Sequence, residues 1–146
     1  MITIDKLSFE DLNDLKLLYE DGFEGSATDF KSMVDRYHQI KDNINYIILC
    51  AKMDGKVVGS VMGIVCNELF GKCLPFMVVE NVVVLNSRRR LGIARQLLRK
   101  LEDRARMNDC TTILFVSSAH RTGAHKLYES LGYGTDKVNG YRKRLT

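Results

Sequence analysis

The segment Val82-Val83-Val84-Leu85-Asn86-Ser87-Arg88-Arg89-Arg90-Leu91-Gly92-Ile93-Ala94 decides how the chain is read. Its first four residues close a long apolar run, Pro75 to Leu85, that reads as a buried β-strand. Asn86-Ser87 stops the strand. Leu91, Ala94, Leu97, Leu98, Leu101 and Ala105 then recur at helical spacing, one apolar stripe that ends at Asn108-Asp109. Thr111 to Val116 reads as a further strand, and a strand, helix and strand in this order imply a right-handed parallel crossover.

Working outward, Tyr46 to Met53 and Lys56 to Cys66 are β-branched runs joined by Asp54-Gly55, a pair suited to the positive dihedrals of a tight antiparallel hairpin. Ile2 and Ile4 alternate with polar neighbours as a short strand. Ser8 with Asp11 can cap a helix carrying Leu12, Leu15, Leu18 and Tyr19. Phe30, Met33, Val34, Tyr37 and Ile40 mark a second helix, with Thr28 as its expected cap. Towards the C-terminus, Ala119 to Leu131 reads as a helix stopped by Gly132, and Tyr133 to Val138 with Tyr141 to Leu145 as a hairpin around Asn139-Gly140. The expected fold class is α/β, an α+β mixed sheet flanked by about four helices.

Composition narrows the field. A chain of 146 residues with 45% hydrophobic and 27% charged side chains and one proline is expected to form a single domain, 1–146, and is unlike disordered or collagen-like sequences. Its apolar runs fall far short of the ~20 residues of a membrane span. Met1 to Asp5 has neither a basic start nor an apolar signal core, so a cytoplasmic location is expected. Cys50, Cys66, Cys73 and Cys110 have no CxxC pairing and read as buried free thiols. His38, His120 and His125 lack ligand spacing, and no metal is expected.

The charge is local. Of a net +4, residues 88–106 hold eight basic side chains against two acidic, while the remainder has 14 basic against 16 acidic. Such a cluster suits a defined anion site better than general attraction to polyanions. A helix N-terminus has unpaired N–H groups and the positive end of the dipole. Gly92 offers no Cβ to an approaching phosphate, Ala94 keeps the next turn small, and Arg89, Arg90 and Arg95 can add charge-assisted contacts. Arginines at this end oppose the dipole, a conflict that a bound anion relieves. Neither GxxxxGK[ST] nor GxGxxG occurs, which argues against nucleotide triphosphatases and dinucleotide enzymes.

The turn Arg89-Arg90-Leu91-Gly92-Ile93-Ala94 resembles the R-x-x-G-x-A coenzyme A pyrophosphate loop of the GNAT superfamily of N-acetyltransferases. Ser117 to Tyr133, containing Ala124-His125-Lys126-Leu127-Tyr128-Glu129-Ser130-Leu131-Gly132-Tyr133, resembles that superfamily's later A-H-x-x-Y-E-x-L-G-Y/F segment. The order of elements agrees over essentially the whole chain, the first two helices matching in placement and not in motif. The resemblance implies a GNAT-like acyl-CoA N-acyltransferase fold, a mostly antiparallel sheet with a splayed parallel pair whose cleft takes acetyl-CoA as cosubstrate. It implies that Val82, Val83 and Val84 run beside the pantetheine, and that Arg89, Arg90, Leu91, Gly92, Ile93, Ala94 and Arg95 hold the pyrophosphate.

The resemblance also implies direct attack of a primary amine on the thioester, with a backbone N–H near Val82 facing the oxyanion. Tyr128 matches the residue that protonates the departing thiolate, a role a phenol with its ordinary pKa near 10 can fill; it also reads as a core aromatic beside Leu127 and Leu131. Glu80 interrupts an apolar run where an unpaired carboxylate is costly to bury. In similar enzymes an acid on this strand takes the ammonium proton, often through water, and partial burial would raise its pKa; pairing with an arginine or reaching the sheet rim are the alternatives. No cysteine lies at a helix start or beside a histidine, so an acyl-cysteine is not expected. Arg121 stands where the family often has a cofactor-contacting asparagine, and that contact does not transfer.

The expected acceptor is a small-molecule amine, with a protein amino group as the other option, bound near the first two helices, where Glu20, Asp21 and Glu24 could attract a cation. Neither nucleic acid nor membrane is an expected partner, and the assembly is expected to be a monomer or homodimer. Two rivals are a nucleic-acid module using Arg88, Arg89, Arg90, Arg95, Arg99, Arg104 and Arg106, which lacks interleaved aromatics, and a non-catalytic acyl-CoA sensor.

Overall fold

Five strands, β1 (Thr3–Lys6), β2 (Tyr46–Met53), β3 (Lys56–Cys66), β4 (Phe76–Val84) and β5 (Ile113–Leu114), lie side by side in the order in which the chain makes them. The computed structural model describes residues 1–118 and 121–146, which divide into two compact units, Met1–Leu114 and Phe115–Thr146. The sheet belongs to the first. Its first three pairings are antiparallel and the last, Met77 to Ile113 and Val78 to Leu114, is parallel. Asp54 and Gly55 join β2 to β3 with φ of 50° and 76°, the left-handed conformation expected of that turn.

Helix α1 (Leu12–Gly22) follows a 3-10 turn at Phe9–Asp11. The Ser8 N–H and hydroxyl both donate to Asp11 Oδ2, at 2.9 and 3.0 Å, and Lys52 Nζ from β2 lies 2.8 Å from Asp11 Oδ1. Leu12, Leu15 and Leu18 then form the inner side of α1, packing with Leu7, Cys50, Val57 and Val83. Helix α2 (Phe30–Ile40) adds Met33, Val34 and Tyr37 at the margin of this cluster. Its cap is Asp29, whose carboxylate accepts from Ser32 N–H at 3.0 Å, and not Thr28. The helix starts at Phe30, so Thr28 lies one residue too early to reach its first turn.

Helix α3 (Ile93–Met107) covers the other face of the sheet. Ile93, Leu97, Leu98, Leu101 and Ala105 are buried, each large side chain contributing about 1.5–3 kcal/mol by leaving water. Close approach depends on two glycines of β3. A Cβ at Gly59 would stand 2.9 Å from Ile93, and one at Gly63 would stand 2.8 Å from Leu101 and 2.9 Å from Met77. Leu91 was expected in this stripe but is 52% exposed, because it precedes the helix and Ile93 takes the inward position.

Helix α4 (Thr122–Ser130) belongs to the second unit; the expected start at Ala119 lies outside the described residues. Gly132, with φ of 94°, follows its end as expected. The expected strand from Thr111 to Val116 shortens to Ile113–Leu114, since its ladder to β4 stops at Val78. The expected hairpin of Tyr133 to Leu145 does not form: residues 133–146 contain no strand, and Val138, Tyr141 and Leu145 are exposed. A two-stranded ribbon without a third strand is marginal, and turns at Gly132 and Gly134 continue where the first strand was expected. Cys50 is buried and Cys66 and Cys110 half-buried, but Cys73, in the loop after β3, is exposed.

Candidate functional site

The second half of β4 departs from regular pairing. Met62 faces Glu80 and Ser60 faces Val83, so Asn81 and Val82 together oppose Val61. This is a β-bulge, and Asn81 takes a φ of 55°, a left-handed conformation that asparagine tolerates better than most residues. From Val79 onward β4 has a ladder partner only on the β3 side among the described residues. Val83 is 2% exposed and packs in the α1 cluster, while Val82 and Val84 are half-buried. Glu80 is exposed. The partial burial that would raise its pKa does not occur; on the face alternate to buried Met77 and Val79 the side chain reaches solvent, as the sheet-rim alternative had it.

The strand past the bulge lies against the end of α1. Burial, with the Cys50 sulfur nearby, pushes the Tyr19 phenol up to about 12, the Asn81 side chain pulling the other way. Asp21 Oδ2 accepts from the Asn86 backbone N–H at 2.8 Å, and Asn86 Nδ2 donates to the Asp21 carbonyl at 2.9 Å. Glu20 pairs with Lys16 at 2.9 Å and accepts from the Thr28 N–H at 3.3 Å. Two of the three acids expected to greet a cation are thus occupied within the chain, leaving Glu24 exposed at the surface. Asn81 was not singled out from the sequence, and Asn86 only as the stop of the strand. The polar pair Glu80-Asn81 inside an apolar strand was the signal for the first, and nothing local marks the bonds that the second makes to Asp21.

A 3-10 turn at Asn86–Arg88 leads into the arginine segment. Arg90 and Gly92 both have left-handed φ, 65° and 76°, with Leu91 between them. Gly92 is the N-cap of α3; no side chain caps this start, and the Gly92 carbonyl accepts the first helical bond from Gln96 N–H at 3.1 Å. A Cβ at Gly92 would meet nothing within 4 Å, so the glycine serves the backbone conformation and leaves open space in front of the helix. Arg89, Arg90 and Leu91 are exposed, Ala94 and Arg95 half-buried, and Ile93 is 2% exposed and fixes the helix start to the sheet. The arrangement presents the positive end of a helix dipole and cationic side chains to an anion.

In the second unit, Tyr128 is 7% exposed on α4. Phe115 meets its ring edge-on, centroids 4.4 Å apart, and Phe115 also meets Tyr133 at 4.8 Å. Burial raises the Tyr128 pKa, with Arg121 pulling the other way, so the phenol keeps its proton at neutral pH. His125 is half-buried on the same helix, and Ser117 Oγ is buried without a hydrogen-bond partner among the described residues. Burial also pushes the Cys50 thiol up to about 12 and raises that of Cys110. Among the described residues no group of three or more His, Cys, Asp or Glu side chains could hold a metal ion, and no helix is long and apolar enough to cross a membrane.

A bulged strand delivering an arginine-lined helix start, in a mixed sheet of this order, is the arrangement of an acyl-CoA-dependent transferase. The acetyltransferase (GNAT) family matches residues 12–133, and the chain belongs to that family; it is an acetyltransferase with acetyl-CoA as its cosubstrate. It is 28% identical over 97 residues to aminoglycoside N(6')-acetyltransferase type 1 of Salmonella typhimurium, a match spanning 64% of this chain and 67% of that one. Among solved structures, glucosamine-6-phosphate N-acetyltransferase from Arabidopsis thaliana superposes with a TM-score of 0.85 at 19% identity, covering 100% of this chain and 99% of that one. An aminoglycoside N-acetyltransferase solved in complex with CoA gives 0.81 at 22% identity, covering 99% and 95%. These structural likenesses bear out the expected fold.

Proposed function

We propose that this chain transfers the acetyl group of acetyl-CoA to a primary amine of a small molecule by direct attack in a ternary complex, residues 1–146 acting as one acetyltransferase domain. The observation that carries the cosubstrate site is the uncapped start of α3, where Gly92 opens the space and Arg89, Arg90 and Arg95 supply charge. In this reading the pyrophosphate sits on the segment Arg89 to Arg95, Leu91, Ile93 and Ala94 contributing through their backbone. The pantetheine runs beside Val82, Val83 and Val84, whose strand edge is free of β5 beyond Val78. Acetyl-CoA supplies an activated thioester, and every other part of the chemistry falls to the chain.

Glu80, exposed beside the bulge, takes the proton of the acceptor ammonium through water. Tyr128, kept protonated by its burial, gives a proton to the leaving thiolate. A backbone N–H of the bulge faces the oxyanion. The likeness to an aminoglycoside acetyltransferase favours amino sugars as the first acceptors to try. The same reading places the enzyme in the cytoplasm as a monomer or homodimer, with no nucleic-acid or membrane partner.

The test is thermal unfolding with CoA, acetyl-CoA, dephospho-CoA and unrelated nucleotides, followed by thiol release with aminoglycosides, polyamines and peptide amines. A selective, concentration-dependent rise in Tm with the CoA compounds, and turnover with an amino sugar, is the expected result. No shift with any CoA compound overturns the reading. Turnover confined to peptide amines overturns the acceptor assignment, and binding without turnover leaves a sensor. Tyr128→Phe is expected to lower kcat about 10–100-fold with the Kd for CoA unchanged.

A further inference from the structure

We infer that Asp21 and Asn86 are positioning residues for the cosubstrate turn, the last turn of α1 acting as a clamp that holds the turn ready to receive phosphate. The inference rests on the proposed CoA site and adds residues to it that touch neither the cosubstrate nor the reacting atoms.

The physical problem is how the second half of β4 and the turn after it are held. Beyond Val78 the strand has lost β5, and at Asn81 the bulge interrupts its ladder to β3. The end of α1 meets this stretch at two successive points. The Gly22 backbone lies so close to Val83 that an added Cβ would overlap that side chain. Asp21 and Asn86 exchange two hydrogen bonds, 2.8 and 2.9 Å, across a separation of 65 residues. The turn from Ser87 to Gly92 is therefore fixed at both ends, by Asp21 at Asn86 and by burial of Ile93 in the core, while its own side chains are exposed. A turn fixed at both ends has less freedom to lose when an anion binds, which is the source of affinity in a preorganised site.

Charge alone makes the opposite prediction. Asp21 is an acid bonded three residues before Arg89, so as a bare charge it repels a phosphate and its removal should tighten binding. As a clamp, its removal should weaken binding.

The experiment is calorimetric titration with CoA of the wild type, Asp21→Ala, Asp21→Asn, Asn86→Ala and the double alanine variant, each with its urea midpoint. The two single alanine variants each remove one bond: Asp21→Ala the carboxylate to N–H bond, Asn86→Ala the amide to carbonyl bond. We expect Kd to rise about fivefold for Asp21→Ala, about threefold for Asn86→Ala and more for the pair, with urea midpoints nearly unchanged because both bonds are exposed. Asp21→Asn should return Kd to within about twofold of the wild type, since an amide oxygen still accepts from the N–H. With an amine acceptor, the KM for acetyl-CoA should rise while kcat at saturation holds. Unchanged binding in the double variant, or tighter binding in Asp21→Ala, overturns the clamp. A wild type that does not bind CoA overturns the proposed function itself, an outcome readable before any variant is made.

Discussion

The chain opens α1 with an anion of its own and opens α3 with none. Before α1, the Asp11 carboxylate collects the Ser8 N–H, the Ser8 hydroxyl and the Lys52 ammonium, and the residue is 6% exposed. Before α3, a glycine takes the cap position and arginines crowd the approach, with no acid in the first turn. Both starts face the same electrostatic demand for negative charge. The first meets it internally and is finished as structure. On the proposed function the second leaves the demand to the phosphates of the cosubstrate, beside a strand that among the described residues has no ladder partner on its β5 side beyond Val78.

The sharpest way to break the contrast is to empty the first start. Asp11→Ala leaves Lys52 without its partner in a half-buried place and should cost about 3 kcal/mol in urea denaturation, with CoA affinity unchanged once folded. The complementary change fills the second start. Gly92→Asp places a carboxylate where the phosphate is proposed to sit, and should weaken CoA about 50-fold by calorimetry while costing about 1–2 kcal/mol of stability for the left-handed backbone that glycine adopts freely.

Proton linkage separates the regions further. Burial works to raise the Asp11 pKa, but hydrogen bonds from Lys52 and Ser8 outweigh it and hold the carboxyl below its ordinary value. Its contribution is therefore present above about pH 4 and is lost as pH falls through the depressed value. Cys50 works at the other limb. With a folded pKa of about 12, it keeps its proton while the unfolded thiol ionises near 8.5, so stability declines from about pH 8.5 upward. Cys50→Ala should flatten the alkaline limb and Asp11→Asn the acid one, each read from urea midpoints across pH. The smallest effect belongs to a third start: Asp29→Ala removes the cap of α2 and should cost about 1 kcal/mol, again without touching CoA affinity.

What could be read ahead of the structure followed the range of the interaction. Asp54-Gly55, the Gly92 turn and the stripe Leu97, Leu98, Leu101 and Ala105 depend on neighbours in sequence, and each stands where expected. Leu91 failed because helical spacing continues across a boundary that the backbone at Gly92 sets one residue later. Glu80 is exposed, one of the alternatives the sequence left open, and strand periodicity carries no sign of the bulge that follows it at Asn81. The Asp21 to Asn86 bonds were out of reach altogether, since they join polar residues that meet only after the sheet and α1 have packed. The C-terminal hairpin shows the converse: good turn chemistry at Asn139-Gly140 does not make strands where no third strand supports them.

The matching of sheet order to chain order has a kinetic consequence. Because β1 to β4 pair with successive antiparallel neighbours, the core ladders of the first unit can be added one at a time as the chain leaves the ribosome, with little loop entropy at each step after β2. The bonds from Asp21 to Asn86 instead close a span of 65 residues and form only when β4 is in place. The turn proposed to receive phosphate is thus among the last parts of this unit to acquire its shape, and in a chain stalled before β4 it does not exist at all.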